Sequence, residues 1–418
     1  MAKGKKFVLI TLDGMADRPS KELQDKTPYE VAFTPNLDFL AKNGKCGMMI
    51  PVKEGIAPES DVAITAILGY DPYHFFTGRG PLEALGAGIE IKEGDLALRT
   101  NFATVGNGKK IIDRRVGRTL TTKEAFALAS TINKKVNLRF PFIFKPTVQH
   151  RGVLVIRGSF SDNITNTDPA YEKKGSFAIA GRKTEFEHSK PLDDDEETLL
   201  SANLVNSFIS QSISVLKKHP VNMERLDKGF LPANILLTRD AGIKLPVLPK
   251  KKEKWFAVLS MPLEISLAKM AGMDVLKCPY PEMVTPNVYD NLYVALKRYI
   301  DCVKQQLKAQ WKNYDCFWIH IKETDVPGHD GFALQKKKML EIVDERLMGF
   351  FKDLNAKVCV TSDHSTPCVL KRHSDDPVPV LIYGAGKDNK VKHFSEKECK
   401  KGSLKKIYGK DLLDLCLK

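Results

Sequence analysis

The chain has 418 residues, 43% hydrophobic and 28% charged, which excludes a disordered or fibrous class and fits a globular protein. That length allows a large buried core and two domains, and no run approaches the roughly 18 apolar residues of a membrane-spanning helix. The formal charge of +14 brings nucleic acid to mind, but the lysine runs at 250–252 and 336–338 and the lysines near 400–406 are dispersed and lack interleaved aromatics, so they read as solvated faces of a protein that steers small anions.

The first residues, MAKGKKFVLITLD, carry no apolar segment followed by a small-residue cleavage site, so the expected location is cytoplasmic. The eight cysteines are scattered and form no CxxC pair, which argues against a zinc finger or thioredoxin-type site and leads to the expectation of reduced thiols. Lys6 to Leu12 is a nearly continuous apolar run, the pattern of a parallel strand buried on both faces. It ends at Asp13-Gly14, which presents the Asp13 carboxylate at the strand's C-terminal edge, where ligands of open α/β sheets collect; the same dipeptide also fits an Asx-turn that caps the strand. Thr34-Pro35-Asn36 opens a helix that stops near Gly44.

A Gly/Pro-broken loop from Pro51 leads to Ser60, and SDVAITAIL behind it reads as a helix. Ser60 therefore lies at or near a helix N-terminus, as a plain N-cap or as a nucleophile whose transferred phosphate would rest on free amides. GYDPYHFFTGRGPLEALGAG reads as a connector, with Arg79 a candidate phosphate contact. From residue 89 the composition shifts to strands and turns rich in arginine: Arg114, Arg115, Arg118, Arg151 and Arg157 recur there. A polar loop over 172–198 and an amphipathic helix over 199–219 follow, so 89–240 is expected to be an inserted α+β domain between core segments 1–88 and 241–418.

Beyond it, strands and helices alternate again. ANILLTRDAG and KWFAVLS read as buried strands, and 288–309 as a long helix. CFWIHI is an apolar strand followed at once by KETDVPGHDG, which places Asp325 and His329 four apart on a loop. A helix over 331–354 leads to a short strand ending at Thr361, and then Asp363, His364 and His373. The expected fold class is α/β, a largely parallel sheet flanked by helices, with an insert. Four distant segments thus bring ligand-type residues to strand ends or a helix start, which suits a two-metal phosphoryl-transfer site.

APESDVAITAILGYDPY, TGRGPLEALGAG, DRRVGR, TDVPGHDG and DHSTPCVLKRHSDDPVP together resemble the archaeal-type 2,3-bisphosphoglycerate-independent phosphoglycerate mutases, of the alkaline phosphatase superfamily. The resemblance implies an alkaline-phosphatase-like core, one divalent cation held by Asp13, Ser60, Asp363 and His364, and a second held by Asp325, His329 and His373. The expected cations are manganese or magnesium, with cobalt or zinc as further candidates; mixed oxygen and imidazole ligation does not itself choose among them. It also implies a substrate-binding insert that closes over the core, with His150, Arg151, Asp168, Arg114, Arg115 and, at the insert's end, Arg239 as substrate contacts. The implied reaction passes the phosphate of 3-phosphoglycerate to Ser60 and back to the 2-hydroxyl, on a small phosphorylated acid with no nucleic-acid or membrane partner. Three positions depart from the family pattern: Glu59 before the nucleophile and Asp240 beside Arg239 stand where glycine is usual, and 279–290 replaces a Gly-rich turn. They motivate an alternative, a phosphatase or phosphotransferase on another small phosphoester; the net charge motivates a remoter one, a non-catalytic polyanion binder.

Overall fold

In the computed structural model, residues 5–418 are described apart from 76, 107, 175–176, 181–183, 280, 282–284, 286 and 388–389, so part of the departing stretch 279–290 lies outside the described residues. The apolar run at the start forms the strand Lys6–Leu12, buried at every position after Lys6. It lies inside an eight-stranded sheet ordered Asp274–Lys277, Trp255–Leu259, Cys316–Ile321, Lys6–Leu12, Ala356–Thr361, Val378–Tyr383, Gly44–Ile50 and Lys405–Tyr408. All pairings are parallel except the two made by Val378–Tyr383, which is antiparallel to both neighbours. The central strands are apolar at successive residues because both faces are covered. Three of them, Cys316–Ile321, Lys6–Leu12 and Ala356–Thr361, are adjacent and parallel, so their C-terminal ends share one edge.

This sheet belongs to one of two compact units, made of the N-terminal 76 residues, Leu248–Pro281 and Tyr289–Lys418; the other is Thr77–Val247 with Glu282–Val288. In the first unit the helix Ala333–Arg346 buries Lys336, Met339, Leu340 and Val343, the i, i+3, i+4, i+7 face of a core-facing helix. The expectation that the 336–338 lysines are all solvated is therefore corrected: Lys336 is fully buried, because that face leaves its ammonium beside Asp17 Oδ2 (2.9 Å) and the carbonyls of Thr366 (2.8 Å) and Ala16 (3.1 Å). The expectation of uniformly reduced thiols is also corrected. Cys278, just past the strand Asp274–Lys277, is disulfide-bonded to Cys302 on the helix Val288–Gln310. Their Cα atoms are 6.5 Å apart, a proximity that a separation of 24 residues does not disclose.

In the second unit Leu96–Val105 pairs antiparallel with Ile111–Asp113, Arg151–Ile156 and Ile235–Gly242, and Arg151–Ile156 pairs in turn with Phe142–Pro146. Phe102, Phe144, Leu154 and Phe208 are among its core residues. The helix Thr122–Lys135 starts at a capping box between Thr121 and Glu124. Glu196–Lys217 is long and apolar enough to cross a membrane by length and composition, yet nine of its residues, Phe208 and Ile209 among them, are buried inside this unit, as in a core helix. The connector TGRGPLEALG forms the helix Arg79–Gly86 against Leu96–Val105 and Ile235–Gly242. At Gly80 a Cβ would lie 2.0 Å from the Ala97 carbonyl oxygen, so only glycine permits that approach.

Candidate functional site

Three strand ends and one helix start build a polar cluster within the first unit. Asp13 follows the strand Lys6–Leu12, Asp363 and His364 follow Ala356–Thr361, and Asp325 and His329 lie in the short helical turns after Cys316–Ile321. Ser60 is the first residue of the helix Ser60–Ile67, all of whose residues are buried. Its Oγ stands 3.2 Å from His364 Nε2, which is itself 3.4 Å from both Asp13 Oδ1 and Asp363 Oδ2. The His364 and His373 rings stack at 3.7 Å, His329 lies 5.1 Å from His373, and His329 Nε2 is 3.2 Å from Asp325 Oδ2. The structure thus brings Asp13, Ser60, Asp325, His329, Asp363, His364 and His373 into one connected group.

Each of the two central aspartates is held through one carboxylate oxygen, Asp363 by backbone amides and Asp13 by side chains. Asp363 Oδ1 accepts from the backbone N–H groups of Gly14 and His364, both at 3.0 Å. Asp13 Oδ2 faces His320 Nε2 at 3.0 Å and the Lys322 ammonium. Asp363 Oδ2 and Asp13 Oδ1 are buried and have no hydrogen-bond partner among the described residues. The three imidazoles are engaged at Nδ1, His364 by Thr366 Oγ1 (3.0 Å), His373 by the Pro58 carbonyl (2.9 Å) and His329 by the Lys371 carbonyl (3.3 Å). Donation from Nδ1 leaves the lone pair on Nε2, as in metal-ligating histidines. Unsatisfied carboxylate oxygens with imidazole Nε2 atoms a few ångströms away are a donor set that fits divalent cations.

Charge in the cluster tells the same story. Burial opposes an ionised Asp13, but Lys322, His320 and His364 outweigh it and hold its carboxyl well below the usual range. Burial and the Asp13 charge push Asp363 up. For His364, burial is outweighed by Asp363 and Asp13, which lift it to about 9, whereas burial and His364 together take His373 down to about 4. Of the three carboxylates Asp363 alone is left raised, and added positive charge beside its bare oxygen would favour its ionised form.

Glu59 Oε1 lies 3.3 Å from His373 Nδ1. Sequence reasoning missed His320, Lys322 and Thr366. His320 sits buried in a strand read as wholly apolar, with Nδ1 2.7 Å from Thr11 Oγ1, and Lys322 Nζ reaches to 3.3 Å from Ser60 Oγ. The available signal was a histidine and a lysine two apart at the end of an otherwise hydrophobic strand.

The remaining candidates lie in the second unit. Arg114 makes a two-pronged contact with Asp168, Nε to Oδ1 at 2.8 Å and Nη2 to Oδ2 at 2.5 Å. Arg239 stacks over Tyr171 with its guanidinium carbon 3.7 Å from the ring centroid, and Asp240 Oδ2 lies 3.5 Å from its Nε. Burial, then Arg151, Arg115 and further guanidiniums, press His150 well below its ordinary value, and burial with Arg118 lowers Arg115 to about 10. Arg239 Nη1, Arg99 Nε and His150 Nδ1 are buried without a hydrogen-bond partner among the described residues. This concentration of positive charge suits an anion. Arg79 is instead buried against Glu83, 2.9 Å away.

A family model described as 2,3-bisphosphoglycerate-independent phosphoglycerate mutase matches residues 41–222. A protein of that name from Methanosphaera stadtmanae is 41% identical over 98% of this chain and 96% of its own, and one from Aeropyrum pernix is 38% identical over 97% and 96%. Among solved structures, a protein from Pyrococcus horikoshii superposes with a TM-score of 0.73 at 32% identity, covering 99% of this chain and 96% of the other. A cofactor-independent phosphoglycerate mutase from Thermoplasma acidophilum gives 0.57 at 32% identity, covering 99% of each. Likeness of this extent, along essentially the full length of both partners, places the chain in the 2,3-bisphosphoglycerate-independent phosphoglycerate mutase family.

Proposed function

We propose that this chain interconverts 3-phosphoglycerate and 2-phosphoglycerate without 2,3-bisphosphoglycerate, as a cytoplasmic enzyme that passes the phosphate through Ser60. Asp13, Ser60, Asp363 and His364 would hold one divalent cation and Asp325, His329 and His373 a second, with manganese or magnesium ahead of cobalt or zinc. Bound there, the cations would supply positive charge to the phosphoryl oxygens and acidify the Ser60 hydroxyl.

The chain's own residues account for the rest. Ser60 Oγ attacks phosphorus, the bond to the substrate's 3-oxygen breaks, and phosphoserine and glycerate result. The helix N-terminus behind Ser60 and the Lys322 ammonium, 3.3 Å from its oxygen, favour the negative charge brought by the transferred group. Arg114, Arg115, His150, Arg151, Asp168 and Arg239, with the insert 89–240, are assigned to the glycerate, whose carboxylate suits guanidinium forks. Reoriented, its 2-hydroxyl attacks the phosphoserine, forming 2-phosphoglycerate and freeing Ser60.

The observation that carries the reading is the Ser60 hydroxyl 3.2 Å from His364 Nε2, beside two bare buried carboxylate oxygens. A second reading, phosphatase or phosphotransferase on another phosphoester, draws on Asp240: it lies within 4.0 Å of both Arg99 and Arg239 and takes up charge a carboxylate would need. Purified protein with manganese is expected to isomerise 3-phosphoglycerate with no added bisphosphoglycerate, to lose that activity in EDTA, and to be inactive as Ser60→Ala. Release of inorganic phosphate in place of isomerisation would overturn the mutase reading in favour of the second.

A further inference from the structure

One buried hydroxyl joins the two groups of candidate ligands. Thr366 Oγ1 is 2.7 Å from Asp325 Oδ1 and 3.0 Å from His364 Nδ1, and the residue is fully buried. Its backbone is fixed on both sides, N–H donating to the Ala16 carbonyl (3.1 Å) and C=O accepting from Lys336 Nζ (2.8 Å). Two glycines fit against it so closely that a Cβ on Gly14 would lie 2.6 Å from Oγ1 and one on Gly328 2.3 Å from its carbonyl oxygen. The hydroxyl therefore has one position and two partners.

Its hydrogen-bond directions follow from donor counts. An ionised carboxylate only accepts, so the single hydroxyl proton of Thr366 goes to Asp325 Oδ1. The oxygen's remaining capacity toward His364 is then as acceptor, and Nδ1 must carry the proton it donates. Once His364 releases its second proton to take a cation, its lone pair is on Nε2, the atom facing Ser60 Oγ, Asp13 Oδ1 and Asp363 Oδ2.

We propose that Thr366 is a positioning residue that couples the two cation seats, orienting Asp325 for one and fixing the ligating tautomer of His364 for the other. It rests on the assignment of Asp325 and His364 to different cations, so the test reads cation binding separately from turnover. Losing an outer-shell partner of this kind lowers metal affinity by roughly 10–100-fold.

Calorimetric titration with manganese should show two sites in the parent protein; failure to bind there would overturn the ligand assignment itself, and this proposal with it. Given that binding, Thr366→Val, which keeps the shape and removes the hydroxyl, should weaken both sites by roughly 10–100-fold, while Thr366→Ser should stay near the parent. Unchanged binding by Thr366→Val, weakening at one site only, or a Ser variant as poor as the Val one would each overturn the coupling. Independently of any variant's folding, imidazole nitrogen NMR of the zinc-loaded parent should show His364 ligating through Nε2 with an exchange-protected Nδ1 proton. Ligation through Nδ1 would overturn the proposal.

Discussion

Replacing Lys336 by methionine tests whether the buried ammonium anchors the loops that carry the site. Its side chain is wholly inside the protein and binds Asp17 Oδ2 and two backbone carbonyls. Breaking a buried ion pair from one side costs about 3–5 kcal/mol. Here part of the loss is cushioned. Asp17 Oδ1 keeps the N–H groups of Arg18 (2.8 Å) and Cys368 (3.0 Å), and the Ala16 carbonyl keeps Ser365 Oγ (2.9 Å). Methionine also fills nearly the same volume, so little cavity term is added. The expected loss is therefore about 3–4 kcal/mol. Trp255, Trp311 and Trp318 all belong to the same unit as Lys336, so urea unfolding followed by tryptophan fluorescence reads that unit directly. Adding Asp17→Asn keeps an acceptor for the two amides and removes the stranded charge, so the double variant should be less destabilised than the sum of the single ones by about 1–2 kcal/mol. A Lys336→Met loss below about 1 kcal/mol, or strictly additive effects, would refute the reasoning.

Two further outcomes are expected. Burial pushes the Glu396 carboxyl up to about 7, where it accepts from Thr27 Oγ1 (2.6 Å) and the Asp17 N–H (3.1 Å). The folded chain then keeps a proton that the unfolded chain releases, so the residue's contribution is full below the unfolded value near 4.5 and is lost as pH rises through 7. Discounted for its partial exposure, Glu396→Gln should be about 2 kcal/mol more stable than the parent at pH 8 and equal to it at pH 4.5 in the same titration; coincident pH–stability curves would contradict this. Gly14→Ala meets a left-handed φ of +57°, about 1 kcal/mol of strain, and a Cβ 2.2 Å from Asp325 Oδ1. Calorimetry should show its manganese affinity down at least tenfold, and parental affinity would show that Asp325 can move aside at no cost.

The strands that carry the site were legible because each is a short apolar run stopping at a polar residue. KFVLITL before Asp13 and AKVCVT before Asp363 need no tertiary information to read. Ser60 was legible through the helix behind it. Residues whose role depends on what lies across the fold were not. Lys336 looks like its neighbours Lys337 and Lys338 until the helix phase and the position of Asp17 are known. His320 was absorbed into an apolar pattern because one polar residue barely alters a buried strand's signature. Glu59 stands out in the sequence only as a carboxylate where glycine is usual, and its approach to His373 depends on how the chain folds. The Cys278–Cys302 pairing was hidden for the same reason, since it joins a strand end to a helix.

The single reversed strand of the main sheet has an outcome of its own. Because Val378–Tyr383 runs back alongside Ala356–Thr361, the chain between them never travels to the opposite rim, as a parallel connection would oblige it to do. Residues 362–377, which include Asp363, His364, Thr366 and His373, form one uninterrupted excursion above the carboxyl rim. Strand register is set below that excursion, so its shape is fixed by its own contacts with Ala16, Lys336, Gly14 and Gly328 and not by the sheet.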